Sequence, residues 1–145
     1  MILSGDIGRR STPARNAKAI LLVEDESEDF ELLELACRRA GLTVEWLHAQ
    51  DRRMAESLIG DIADGSRDVP GLAIIDLRLP DGSGLDLLPH LAEALPELPV
   101  VVFSTGTAPI NLADLFADGR GIFFNKPYDF AGYAEIIDHI RLHLV

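Results

Sequence analysis

Glu24, Asp25, Asp76, Ser104 and Lys126 are the residues of this 145-residue chain whose types and positions could do chemistry together. Carboxylates held close raise one another's pKa, so a site built from Glu24, Asp25 and Asp76 needs a cation to be tolerable. Oxygen ligands from acidic residues, with no His or Cys beside them, favour Mg2+ over Zn2+. With Mg2+ on one side and the Lys126 ammonium on the other, the Asp76 carboxylate could meet a phosphoryl group as a nucleophile, as in carboxylate chemistry that passes through an aspartyl phosphate. Ser104 could donate its hydroxyl to one phosphoryl oxygen and Lys126 could pair with another.

These residues work together only if the fold brings them together, and the hydrophobic pattern says how. From Ala17 onward short aliphatic runs alternate with amphipathic stretches, the signature of repeated βαβ units and a parallel sheet. The continuous run Ala19 to Val23 suits a central strand covered on both faces. Further strands are expected over Thr43 to His48, Leu72 to Leu77, Val100 to Phe103 and Ile122 to Phe124. Helices should fall between them. The first is expected to be capped by Ser27 and stopped by Gly41, the third to be kinked by Pro89, and the fourth, around Leu112, Leu115 and Phe116, to be weak. Five strands and five helices in alternation make an open, doubly wound α/β fold. Ligands in such sheets bind beyond the carboxyl ends of the strands. Glu24-Asp25, Asp76, Ser104-Thr105 and Lys126-Pro127 stand at those ends.

Bulk properties narrow the field. A chain of this length with 48% hydrophobic residues can bury one core but not two. A net charge of -11 argues against direct nucleic-acid binding. One cysteine, Cys37, fits a reducing, cytoplasmic setting and a packing role, and no apolar run is long enough for a membrane span. Residues 1–17 read as a flexible arm with a small basic group, and residues 18–145 as the domain. The four histidines, His48, His90, His139 and His143, lack the spacing of a metal site or a nucleophile-base pair, and Trp46 reads as packing.

The string Ile20 to Glu26, the string Ile74 to Pro80 with Gly84 beyond it, and the pair Lys126-Pro127 resemble the receiver domains of two-component response regulators over about residues 18 to 145. The resemblance implies a flavodoxin-like, CheY-like sheet with strand order 2-1-3-4-5 and a Mg2+ cofactor. Asp76 matches the phosphoacceptor, Asp25 the direct metal ligand, Glu24 its acidic neighbour acting mainly through water, and Arg78 the residue whose main-chain carbonyl completes the metal shell. Ser104 and Lys126 match the phosphoryl-binding pair. Phe123 matches the switch aromatic, and Pro127 the proline whose preceding peptide is cis in the family. Glu24 departs from the aspartate often found there. A longer stretch between the second and third strands resembles the small regulators that partner bacterial phytochromes.

The expected function is that of a signalling phosphoprotein, not an enzyme. A sensor histidine kinase or phosphotransfer protein, with a bacteriophytochrome as the narrower candidate that the resemblance implies, is expected to phosphorylate Asp76, with Ser104 and Phe123 relaying the change. With the chain ending at Val145, output is expected through protein contacts. A homodimer through the fourth helix, fifth strand and fifth helix is expected from the apolar side chains Ile110, Leu112, Leu115, Phe116, Tyr133, Ile137, Ile140 and Leu144. Two rivals remain: a phosphorylation-silent adaptor with the same fold, and a phosphohydrolase, which would need an acid where Arg78 stands.

Overall fold

The computed structural model describes residues 14–106 and 112–144. Five parallel strands, β1 (Arg15–Val23), β2 (Glu45–Ala49), β3 (Val69–Ile75), β4 (Val100–Ser104) and β5 (Gly121–Asn125), form one sheet in the order β2-β1-β3-β4-β5. The helices between them are α1 (Ser27–Arg39), α2 (Arg52–Ala63), α3 (Leu87–Ala94), the single turn α4 (Leu112–Leu115) and α5 (Ala134–His143). This is the doubly wound, CheY-like fold expected from the sequence.

Strand alternation builds two cores. Leu21, Val23, Ala73, Ile75, Val100 and Val102 face Leu58 and Ile59 of α2, Leu88 and Leu91 of α3 and Leu112 of α4. Their neighbours Ile20, Leu22, Leu72, Ile74, Val101 and Phe103 face Leu33 and Cys37 of α1 and Ile136 and Ile140 of α5. Because successive residues in a strand point to opposite faces, a strand buried on both sides must be apolar throughout, and Ile20 to Val23 are all buried.

Several local expectations shift. β1 takes in Arg15, Asn16 and Ala17, ahead of the boundary at 18, because Arg15 and Asn16 pair with Val69 and Pro70 of a β3 that begins three residues earlier than expected. The rest of the arm, residues 1–13, lies outside the described residues, as does Ile110. Ser27 is the first helical residue; Glu26 stands at the cap position without a side-chain cap hydrogen bond. In α2 the cap is Asp51, which accepts from the Met54 amide at 2.7 Å. Pro89 sits in the first turn of α3, where a backbone N–H has no intrahelical partner, so it fits there without breaking the ladder.

The segment after Asp76 is fixed to α2 by its turn. Asp81 accepts from the Arg52 and Arg53 amides at 2.8 and 3.0 Å, a carboxylate on a helix N-terminus, and Arg52 also pairs with Asp86 at 2.8 Å. Gly84 lies so close to the backbone that a Cβ there would stand 2.4 Å from the Asp76 carbonyl oxygen and 3.0 Å from Leu77 Cα. Gly84→Ala is therefore expected to destabilise the fold by about 1–3 kcal/mol, since main chain cannot move aside as a side-chain tip can. Gly60→Ala in α2, where a Cβ meets nothing within 4 Å, should be neutral or stabilising by roughly 0.5–1 kcal/mol. Urea unfolding of both variants checks the contrast; equal effects would contradict it.

Candidate phosphoryl-acceptor site

Strand register gathers the candidate residues. Val23 pairs with Ile75, Ile75 with Val102, and Ser104 with Asn125, so the residues just past the ends of β1, β3 and β5 share one edge of the sheet. Hydrogen bonds across those ends lock the positions: the Asp76 amide donates to the Val23 carbonyl at 2.9 Å, and the Lys126 amide to the Ser104 carbonyl at 3.0 Å.

Asp76 is buried, and all its partners are donors. Its Oδ1 accepts from Ser104 Oγ at 2.8 Å and from the Arg78 amide at 3.0 Å, while its Oδ2 accepts from Lys126 Nζ at 2.8 Å. Burial pushes the carboxyl up, but the Lys126 hydrogen bond, the Arg78 amide, the Lys126 charge and Ser104 together outweigh it and hold Asp76 below the usual aspartate range. The group is thus an oriented carboxylate at neutral pH. It opens onto a cleft of about 330 Å³ whose walls include Asp25, Asp29, Arg78, Thr105 and Lys126.

Lys126 meets three carboxylates: Glu24 Oε1 at 2.7 Å, Asp29 Oδ2 at 2.7 Å and Asp76 Oδ2 at 2.8 Å. Burial would lower its pKa, yet donating to these carboxylates pushes it above the usual lysine range. Glu24 shows the opposite balance. Burial raises it most, the Lys126 hydrogen bond opposes, and the Asp76 charge raises it further, to about 7. One ammonium does not neutralise the cluster.

Oxygen atoms of Glu24, Asp25 and Asp76 all lie within 4.8 Å of one another, so these residues could hold a divalent cation. An all-oxygen set with a raised carboxyl in it fits a hard cation such as Mg2+ or Mn2+.

Every expected site residue is placed at this edge of the sheet except Phe123, which is half-buried on β5. There Phe123 packs toward the α2–α4 core and Phe124 toward the α1–α5 core, as alternation requires. Two residues were missed from sequence. Asp29 is one; it stands in the first turn of α1, just past the end of β1, where an acidic residue already has an ordinary role. His48 is the other: its Nε2 donates to the Glu24 carbonyl at 2.7 Å while its ring packs on Phe30 at 4.5 Å. No spacing could have shown that contact, because it crosses between strands. Trp46 also packs on Phe30, as expected.

Two expectations are corrected. No peptide bond among the described residues is cis, so the bond before Pro127 is trans. Trans is the form that an X–Pro bond favours by about 0.5–1 kcal/mol, and Lys126 reaches its partners from it. The apolar surplus expected to join two copies is largely used inside one: Leu112, Phe116, Tyr133, Ile137 and Ile140 are all buried.

Glu24 predicts a pH dependence. Its folded-state pKa of about 7 lies above its ordinary 4.5, so the native state holds a proton that the unfolded chain has lost. Stability contributed by that proton is complete below pH 4.5 and lost as pH rises through about 7. Wild-type protein without divalent cations should therefore lose stability relative to Glu24→Gln over that interval, by at most about 1.4 kcal/mol per pH unit. Urea unfolding at several pH values reads the difference; a constant gap would show that Glu24 ionises normally.

Comparison with known proteins bears on this site. The family model for the response regulator receiver domain matches residues 20–138. The "Probable methanogenesis regulatory protein FilR2" of Methanothrix harundinacea (strain 6Ac) is 30% identical over 142 residues, covering 95% of this chain and 88% of FilR2. The response regulator protein PilR of Pseudomonas aeruginosa is 30% identical over 117 residues, which are 81% of this chain but 24% of PilR. Among solved structures, the phosphorylated cyanobacterial phytochrome response regulator RcpA is 25% identical with a TM-score of 0.69, over 88% of this chain and 93% of RcpA. The bacteriophytochrome response regulator AtBRR is 26% identical with a TM-score of 0.65, over 86% of this chain and 92% of AtBRR. Acidic strand ends, the Asp76–Ser104–Lys126 contacts and a family match over most of the length agree: the chain belongs to the response regulator receiver domain family of two-component signalling.

Proposed function

We propose that Asp76 is the phosphoacceptor of this receiver, taking its phosphoryl group from the phosphohistidine of a sensor histidine kinase or phosphotransfer protein. The observation that carries the reading is the polarisation of Asp76. Oδ1 is anchored by two donors, whereas among the described residues Oδ2 accepts a hydrogen bond from the Lys126 ammonium alone and keeps a lone pair for phosphorus. In the transfer an Asp76 oxygen–phosphorus bond forms as the donor's nitrogen–phosphorus bond breaks. The electron pair stays on the imidazole nitrogen, which takes up a proton.

Asp25 and Asp76, the Arg78 main-chain carbonyl and, through water, Glu24 would hold Mg2+, which when bound supplies positive charge against the transferring phosphoryl oxygens. The chain's own residues do the rest. Lys126 pairs with a phosphoryl oxygen, and Ser104 turns its hydroxyl from Asp76 Oδ1 to another. That turn pulls the end of β4 inward. Space is freed beside Phe123, which pairs in register with Val102 and is half-buried, so its ring can follow.

Output then passes through the β5 and α5 surface to a protein partner. The likeness to RcpA and AtBRR supports a phytochrome-type kinase as donor, and a kinase of that kind sets the protein in the cytoplasm. Among the described residues no helix is long and apolar enough to cross a membrane. A homodimer through α4, β5 and α5 would rest on the apolar groups that the core leaves exposed, chiefly Leu142, Tyr128 and Phe130, together with half-buried Leu115 and Leu144.

Two outcomes are expected. Incubation with Mg2+ and a small acyl phosphate should add one phosphoryl mass to the intact protein, and Asp76→Asn should add none. No adduct from any donor or kinase would instead support the silent adaptor. In light scattering the protein should gain a dimer population at high concentration; monomer alone, with and without phosphorylation, would remove the homodimer.

A further inference from the structure

An ammonium has three N–H donors, and Lys126 is surrounded by three carboxylates, hydrogen-bonded to Asp29 and Asp76 and ion-paired with Glu24 at 2.7 Å. A phosphoryl oxygen can gain a hydrogen bond from Lys126 only when one of those partners lets go. Two have other work in the phosphorylated pocket: Asp76 becomes the ester, and Glu24 faces the cation site. Asp29 has no such alternative. It stands in the first turn of α1, and its side chain is 32% exposed against 3% for Glu24 and 5% for Asp76.

We propose that Asp29 is a restraining carboxylate: it competes with the incoming phosphoryl group for the Lys126 ammonium and thereby slows phosphorylation of Asp76. It is a positioning residue acting through Lys126, and the inference rests on Asp76 being the phosphoacceptor. The opposing pulls come from different elements, α1 on one side and the end of β3 on the other. Lys126, on the loop after β5, is held between them. Neutralising Asp29 leaves Lys126 a free donor and removes a repulsive charge from the cleft wall, and both changes favour an anion beside Asp76.

The test compares wild type, Asp29→Asn, Asp29→Glu and Glu28→Gln as full chains in excess Mg2+. It measures the rate of adduct formation from a small acyl phosphate, half-saturation by beryllofluoride, and Mg2+ affinity by calorimetry. Asp29→Asn should accelerate the adduct and tighten beryllofluoride by about three- to tenfold, with Mg2+ affinity changed much less. Asp29→Glu, which keeps the charge, should return toward wild type. Glu28→Gln should stay at wild type, since Glu28 is exposed on the same turn and makes no contact with Lys126.

An unchanged or slower Asp29→Asn overturns the proposal. So does an equal gain in Glu28→Gln, which would mean a general charge effect, or a loss of Mg2+ affinity of more than about tenfold, which would make Asp29 a metal ligand. Absence of any adduct on wild type would remove the functional reading itself, and this inference with it. An adduct on wild type with no change in Asp29→Asn would remove the inference alone.

Discussion

The contact on which the site depends is the Lys126 ammonium between the Glu24, Asp29 and Asp76 carboxylates. Folding a parallel sheet with acidic residues past two adjacent strand ends forces negative charges into one partly dry volume, where Coulomb repulsion is stronger than in water. A single buried cation offsets part of that cost and cannot offset all of it. The remainder shows in Glu24, whose pKa reaches about 7. Asp76 is spared because its partners, Lys126, Ser104 and the Arg78 amide, favour its charged form. The two carboxyls are thereby driven apart in acidity, Asp76 downward and Glu24 upward.

That division is possible only because the backbone around it is tightly tied. Glu24 has its amide bonded to Ala49, its carbonyl accepting from His48 and its Oε2 accepting from the Glu26 amide. Asp76 is held through its amide by β1, and Gly84 passes close over its carbonyl. Apolar packing on both faces of β1 and β3 gives these anchors something rigid to act on. Edge strand β5 is different in character, half-buried along most of its length. The stiff centre holds the reacting groups, and the softer edge is where a change in them can be read.

Much of this could be read from the residues alone, and the reasons for success and failure are physical. Continuous aliphatic runs identified the central strands because burial on both faces leaves no polar position, as at Ile20 to Val23. Strand ends then located the site by topology. What failed was anything set by competition between near-equal alternatives. The bond before Pro127 chooses between isomers about 1 kcal/mol apart or less, and sequence does not weigh that difference. Ser27 and Glu26 compete for one cap position. Asp29 was hidden because an acid in a first helical turn already has an ordinary explanation, favourable interaction with the helix dipole. For the same reason Leu112, Phe116 and Ile140 were read as surplus: periodicity says that a face is apolar, not how much of it the domain's own sheet will cover.

The charge balance also joins the pocket's two ligands to each other. A divalent cation and a phosphoryl group have opposite signs, and each relieves the repulsion that the other meets or creates, so each must tighten the binding of its companion by the same factor. In the metal-free pocket, adding close to two negative charges at Asp76 would be opposed by Glu24, Asp25 and Asp29, with Lys126, Ser104 and the Arg78 amide on the other side. A bound cation would cancel much of that opposition, and Lys126 would then stand between a phosphoryl group at the end of β3 and Asp29 on α1. The tie between α1 and the loop after β5 runs through that single ammonium, so a phosphoryl group on Asp76 would loosen it by offering the ammonium another partner.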